Sequence, residues 1–317
     1  MTRNVLDSDV LDLYETFEPP PRGFDVNSAT AHTLRKHGLP LRPDPATHQR
    51  LDRSWQRAFS SPPNYVEAEL KIDPVMSARD WPLSRQGEEF DVVNNWAGAI
   101  VNVTQLGFGE PVNGVFAQWT IPEVSRHNPE LFSPITAGFW VGIDGFLEEG
   151  AQVLQAGVAV TVPPGLWEGF FNWQPIFWAW TEWWTEKFQD PAVMVSNFPV
   201  EAGDTIAVLV CAPERDFGQI TLLNDSKRHL TSVRIRAREG IQSLGASAEW
   251  IVEGASADLP AFDPITFNEC VAATDSHLIV LKPSGLTQDI ITSDEVFLTQ
   301  STIASDTSAI VRWEGFR

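Results

Sequence analysis

The chain has 317 residues, 43% of them apolar, which is enough for one sizeable core, alone or with an appendage. Its net charge is −20, from 22 Lys and Arg against 42 Asp and Glu. Residues 91–317 hold 11 basic and 28 acidic side chains, a surface that repels nucleic-acid phosphates and anionic lipid, so neither is an expected partner.

Residues 1–90 read as an N-terminal extension, with residues 91–317 as the main domain. Met1-Thr-Arg-Asn-Val-Leu-Asp-Ser-Asp-Val10 has no apolar run of signal-peptide length, and no stretch of about 20 apolar residues occurs anywhere, so the chain as written reads as cytoplasmic or exported by an unusual route. Residues 7–17 are read as a short helix, and Pro19, Pro20 and Pro21 as the break that follows it. A second helix is predicted over Ala46–Phe59, where Leu51, Trp55 and Phe59 recur every four residues; Asp44 is its expected N-cap and Pro45 its first residue. Residues 30–59 carry six basic and two acidic side chains plus three histidines. That patch is expected to dock on the acidic main domain, covering its cleft near neutral pH and loosening as carboxylates protonate.

From Trp96 onward the period changes to short β-branched and aromatic runs separated by Gly, Pro, Asn and Asp. Strands are predicted over 97–103, 113–121, 137–143, 151–162, 176–184, 205–211, 217–224, 229–236, 247–253, 263–269, 277–282, 288–292, 295–300 and 308–314. So many short strands without helical spacing between them predict an all-β antiparallel sandwich of two packed sheets. Six of the 13 Trp fall between Trp167 and Trp184. Alternation puts Trp178, Trp180, Glu182 and Trp184 on one strand face, with Phe177 and Trp183 on the other, a pattern that suits either a groove gripping an extended polymer or a tryptophan-lined core.

Six scattered histidines show no HExxH or His-x-His spacing and there is no CxxC, so no metal and no cofactor is expected. Cys211 and Cys270 exclude a disulfide framework and leave a single bridge open. Without a GxSxG elbow, P-loop or dinucleotide fingerprint, a carboxylate mechanism is the best supported. In Ser247-Ala-Glu-Trp-Ile-Val-Glu253 a strand places Ser247, Glu249, Ile251 and Glu253 on one face, and a carboxyl half-buried there has its charged form disfavoured. Gln155, in Val153-Leu-Gln-Ala-Gly157, offers a carbonyl to hold water and an amide to meet an oxyanion, while Gly157 permits close approach of a neighbouring backbone.

Taken with Asn94-Asn-Trp-Ala-Gly-Ala99, Ala137-Gly-Phe-Trp-Val-Gly-Ile-Asp-Gly145 and Trp178-Ala-Trp-Thr-Glu-Trp-Trp184, these blocks form an ordered set that resembles the glutamic peptidases of the eqolisin family. The resemblance covers roughly residues 94–270. It implies a sandwich with a concave cleft, a catalytic pair Gln155 and Glu253, and a substrate cleft lined by Trp96, Trp140, Trp180 and Glu182, with Asp144 supporting the site. The implied reaction is acid endopeptidase hydrolysis of a polypeptide without a covalent intermediate. Trp184 replaces the family's tyrosine and removes a hydroxyl from the cleft, and residues 1–90 occupy the place of a prosegment. Family members are typically secreted, in contrast with the missing signal. The competing readings are a jelly-roll glycoside hydrolase using carboxylates such as Glu182 and Glu253, and a non-catalytic binder with a Trp-lined groove.

Overall fold

A computed structural model describes residues 7–72, 92–107, 109–127, 134–146, 152–163, 174–254, 259–292 and 295–315. Trp167, Trp173 and the expected boundary near residue 90 lie outside them. The described chain builds two large sheets, one of ten strands and one of eight, packed face to face, as the alternating pattern predicts. Pairings are antiparallel except that Asn64–Tyr65 runs parallel to His229–Arg236.

The eight-stranded sheet runs, in spatial order, Gly285–Gln288, Trp96–Asn102, Ser247–Gly254, Ile135–Ile143, Gln152–Val162, Ile176–Thr185, Val193–Val195 and Leu70–Lys71. Its inner face sends Ala97, Phe139, Leu154, Trp183 and Trp250 into the main core, where they meet Val115, Trp119, Val208 and Leu222 of the ten-stranded sheet. Trp250 Nε1 also donates to the Phe116 carbonyl across the layers, 2.9 Å away. The outer face gathers Trp96, Ile100, Trp140, Val153, Trp178, Trp180, Trp184 and Ile251 into a separate cluster. Strand alternation thus sorts one tryptophan set into the core and another onto the outer face.

Gly157 sits where two central strands press together: a Cβ there would run into the Phe139 carbonyl oxygen and stand 2.7 Å from Trp140 Cα. Both obstacles belong to the interior strand Ile135–Ile143 and cannot swing aside. Gly157→Ala is therefore expected to destabilise the fold by roughly 2–4 kcal/mol, read as a lowered urea midpoint at unchanged slope.

The N-terminal residues depart from expectation. Only Asp7–Leu11 is helical, and Tyr14–Thr16 is a strand at the edge of the ten-stranded sheet, paired with His229–Arg236. An unpredicted helix spans Ala31–Lys36, and the helix expected over residues 46–59 spans Gln49–Ala58 with His48 at its N-cap position; Asp44 instead accepts from the Ala46 amide in the preceding turn. Trp55 and Phe59 of that helix pack with Ala207, Leu223 and Leu230, on the outer face of the ten-stranded sheet. The basic patch therefore lies on the side of the sandwich away from the tryptophan-lined face and does not cover it. Its docking is held by Arg57 and Ser54 on Glu269 and by Arg228 on the carbonyls of Ala58 and Ser61. Cys211 and Cys270 are both free thiols, so the bridge left open by the sequence is not formed.

Candidate active site

Three transverse rows cross the outer face of the eight-stranded sheet. Trp96, Glu253, Gly138, Ala159 and Trp178 form the first; Gly98, Ile251, Trp140, Gly157 and Trp180 the second; Ile100, Glu249, Gly142, Gln155 and Glu182 the third. Successive rows are two residues apart, so all fifteen positions share one face and rows lie about 7 Å apart along the strands. Gln155 and Glu253 thus stand on either side of the middle row, in which Gly157 carries no side chain between Trp140 and Trp180.

Every polar member of this face is buried. Gln155, Glu249 and Glu253 are 0% exposed and Glu182 is 1%. Gln155 Nε2 donates to Glu182 Oε2 over 2.9 Å, which fixes its amide group and leaves Oε1 without a partner among the described residues. Glu253 accepts from Trp140 Nε1 at 3.0 Å on one oxygen and from Asn95 Nδ2 at 2.9 Å on the other. Trp140 is in turn braced edge-on by Trp96, with ring centroids 4.9 Å apart.

Burial raises the carboxyl groups. Glu253 is pushed up to about 8 by desolvation, against the pull of Trp96, Trp140 and Asn95. Glu182 is raised well above the ordinary carboxylate range by burial, with the Gln155 bond opposing and the charges of Glu253 and Asp190 adding to it. By register Glu182 and Glu253 lie in the two rows that flank the middle one, with Gln155 held by the former. Glu249 is likewise raised well above its ordinary range, by burial first, tempered by the nearby Ser247 hydroxyl and reinforced by Asp144. Both its oxygens lack a hydrogen-bond partner among the described residues.

Of the residues singled out in the sequence, Gln155, Glu253, Trp96, Trp140, Trp180, Glu182 and Trp184 meet on this one face. Asp144 does not join them: it accepts from Ser243 Oγ and the Leu244 amide on one oxygen and from the Ala246 amide on the other, at 2.8–2.9 Å. It holds the loop that leads into Ser247–Gly254 and so positions that strand. Its own φ of 70° and the 103° of Gly145 reverse the chain over the cleft, where Phe146 packs on the tryptophan cluster. Asn95 was missed as a Glu253 partner. It stands between the strands Val92–Asn94 and Trp96–Asn102, where alternation assigns no face.

Comparison with known proteins gives the family and the fold. A sequence-family profile described as "Peptidase A4 family" matches residues 94–313. Aspergillopepsin-2 of Aspergillus niger is 27% identical over 297 residues, spanning 84% of this chain and 92% of that protein. A crystal structure of scytalido-glutamic peptidase with a transition state analog inhibitor superposes with a TM-score of 0.56 at 21% identity, over 70% of this chain and 99% of that one. SCP-B, a member of the eqolisin family of peptidases in complex with the tripeptide Ala-Ile-His, gives a TM-score of 0.53 at 22% identity over the same shares. The two structural matches show the shared sandwich fold.

Proposed function

The chain belongs to the Peptidase A4 family and is a peptide hydrolase, and we propose that it cleaves polypeptide internally with Gln155 and Glu253 acting together on a water molecule. The observation that carries this reading is that the two groups share one buried face on either side of its middle row, Gln155 fixed by Glu182 and Glu253 held by Trp140 and Asn95. In this scheme opening of that face to water lifts the desolvation that keeps Glu253 neutral in the closed chain, and water attacks the peptide carbonyl while its proton passes to the resulting Glu253 carboxylate. The Gln155 amide meets the oxyanion, the C–N bond breaks, and Glu253 returns the proton to the leaving amine. Trp140 and Asn95 favour the ionised carboxylate that the first step requires, and the remaining tryptophans offer apolar area to an extended peptide. Trp96, Trp178 and Trp184 are at most 7% exposed in the folded chain, so an extended peptide reaches the Trp-lined face only once that face opens.

Glu249 competes for the acid–base role, because the register sets it directly across Gly142 from Gln155. Trp140 argues against it: its Cζ3 lies 2.9 Å from where a Gly142 Cβ would stand, so the ring borders the strip between the two side chains. The charge that Glu249 feels is that of Asp144, on the far side. Glu249→Gln is accordingly expected to retain turnover within a few-fold while raising the melting temperature near neutral pH, where a buried ionisable acid costs stability. The deciding assay is cleavage of an unfolded protein across about pH 2 to 7 with pepstatin present. Loss in Glu249→Gln with retention in Glu253→Gln would transfer the role to Glu249.

A further inference from the structure

Residues 7–72 close the edge of the sandwich nearer to the Gln155–Glu182 pair. Tyr14–Thr16 extends the ten-stranded sheet beside His229–Arg236, with Glu15 paired to Arg234. Asn64–Tyr65 lies along the same strand, and five residues later Leu70–Lys71 pairs with Val193–Val195 of the eight-stranded sheet. Between them the Val66 carbonyl accepts from Thr231 Oγ1 at 2.8 Å, while the Glu67 and Glu69 carbonyls accept from Asn197 Nδ2 and the Ser196 amide, each also 2.8 Å. One short segment therefore bonds to both layers.

Thr181 receives that support from two directions. Its backbone partner is Val193, whose strand is edged by Leu70–Lys71. Its carbonyl accepts from the Tyr14 hydroxyl at 3.1 Å, a contact between residues 167 positions apart. Thr181 immediately precedes Glu182, which holds the Gln155 amide. The neighbouring wall is built by Asp190, clamped through two bonds of 2.7 and 2.8 Å by Arg238, just beyond the strand His229–Arg236 with which Tyr14 pairs.

We propose that Tyr14 is a positioning residue for the Gln155–Glu182 pair, and that residues 7–72 are a working part of the peptidase rather than a cover to be discarded; the inference rests on the role given to Gln155 above. A carbonyl left without its donor lets the end of Ile176–Thr185 relax, and a displacement of even about 1 Å in the groups that orient water costs up to 10²-fold.

Tyr14→Phe removes the donor and leaves the ring. Its kcat on an unfolded protein is expected to fall about tenfold at unchanged KM, with a melting temperature within a few degrees of the parent. A merely structural role would lower the melting temperature and leave kcat per folded molecule unchanged, and parental kcat in the folded variant overturns the proposal. In parallel, a specific protease site placed between residues 73 and 91 of the full chain is cut and the product run on a sizing column. Residues 1–72 should co-elute with the remainder and activity should persist. Their departure from a fully active remainder overturns the proposal even if Tyr14→Phe fails to fold. Parental turnover that Glu253→Gln abolishes and Tyr14→Phe leaves intact defeats this inference alone; no turnover by the parent chain defeats the catalytic reading with it.

Discussion

Glu253→Gln is expected to lower kcat for peptide hydrolysis by about 10³-fold while the protein stays folded. Glutamine keeps the size of the side chain and one carbonyl oxygen, so either Trp140 Nε1 or Asn95 Nδ2 still finds an acceptor. The other donor then faces an NH2 group, a penalty of roughly 1–3 kcal/mol. That cost is opposed by removal of a carboxyl whose ionised form burial disfavours. What glutamine cannot do is take a proton from water and return it to an amine. Gln155→Ala tests the partner: it strips the oxyanion donor and also frees Glu182, and a fall on the order of 10² to 10³ in kcat is expected. Assaying both under pepstatin, with circular dichroism for folding, separates lost chemistry from lost structure. A Glu253→Gln protein that turns over within tenfold of the parent would end the proposed mechanism.

The sandwich and the shared face of the candidate site residues are legible in the sequence for the same reason. Period-two alternation in Gln152–Val162, Ile176–Thr185 and Ser247–Gly254 fixes which side chains share a face, and the observed rows follow from it once register is added. Phe217–Asn224 and His229–Arg236 occupy the spans predicted, since turn residues bound both. Register itself was not legible. Nothing local tells that Glu249, rather than Glu253, stands opposite Gln155, or that Asn95 reaches Glu253. The predicted strand 295–300 instead begins at Thr299, because Glu295 takes a φ of 61° in a turn that its neighbours do not announce. Residues 7–17 were read as one helix because three-residue strands such as Tyr14–Thr16 have no period of their own. They exist only through the partner strand more than 200 positions away. For that reason the link from Tyr14 to Thr181 could not be seen before the fold was.

Stability is expected to be greatest in acid and to fall toward neutral pH, because the cleft buries three carboxyl groups in their neutral form. Glu253 titrates near 8 in the folded chain and near 4.5 when unfolded. Between those values the unfolded chain releases a proton that the folded chain keeps, so the contribution is fully present below about 4.5 and is lost as pH rises toward 8. At about 1.36 kcal/mol per pH unit, the loss from Glu253 alone reaches on the order of 3 kcal/mol at pH 7. Glu182 and Glu249 shift in the same direction, also by burial. Glu110 works the other way: Thr274 and Ser276 hold it down at about 2, so its contribution is present above the ordinary carboxylate range and disappears only in strong acid. The charge of −20 also favours acid, since protonation relieves self-repulsion everywhere on the surface. Glu253→Gln distinguishes the local term from that global one. Urea midpoints should match those of the parent within about 1 kcal/mol near pH 4, and the variant should become the more stable protein above about pH 6. Curves that stay parallel from pH 4 to 7 would show that Glu253 is not held neutral by burial, and that the cleft is wetter than its 0% exposure in the folded chain implies.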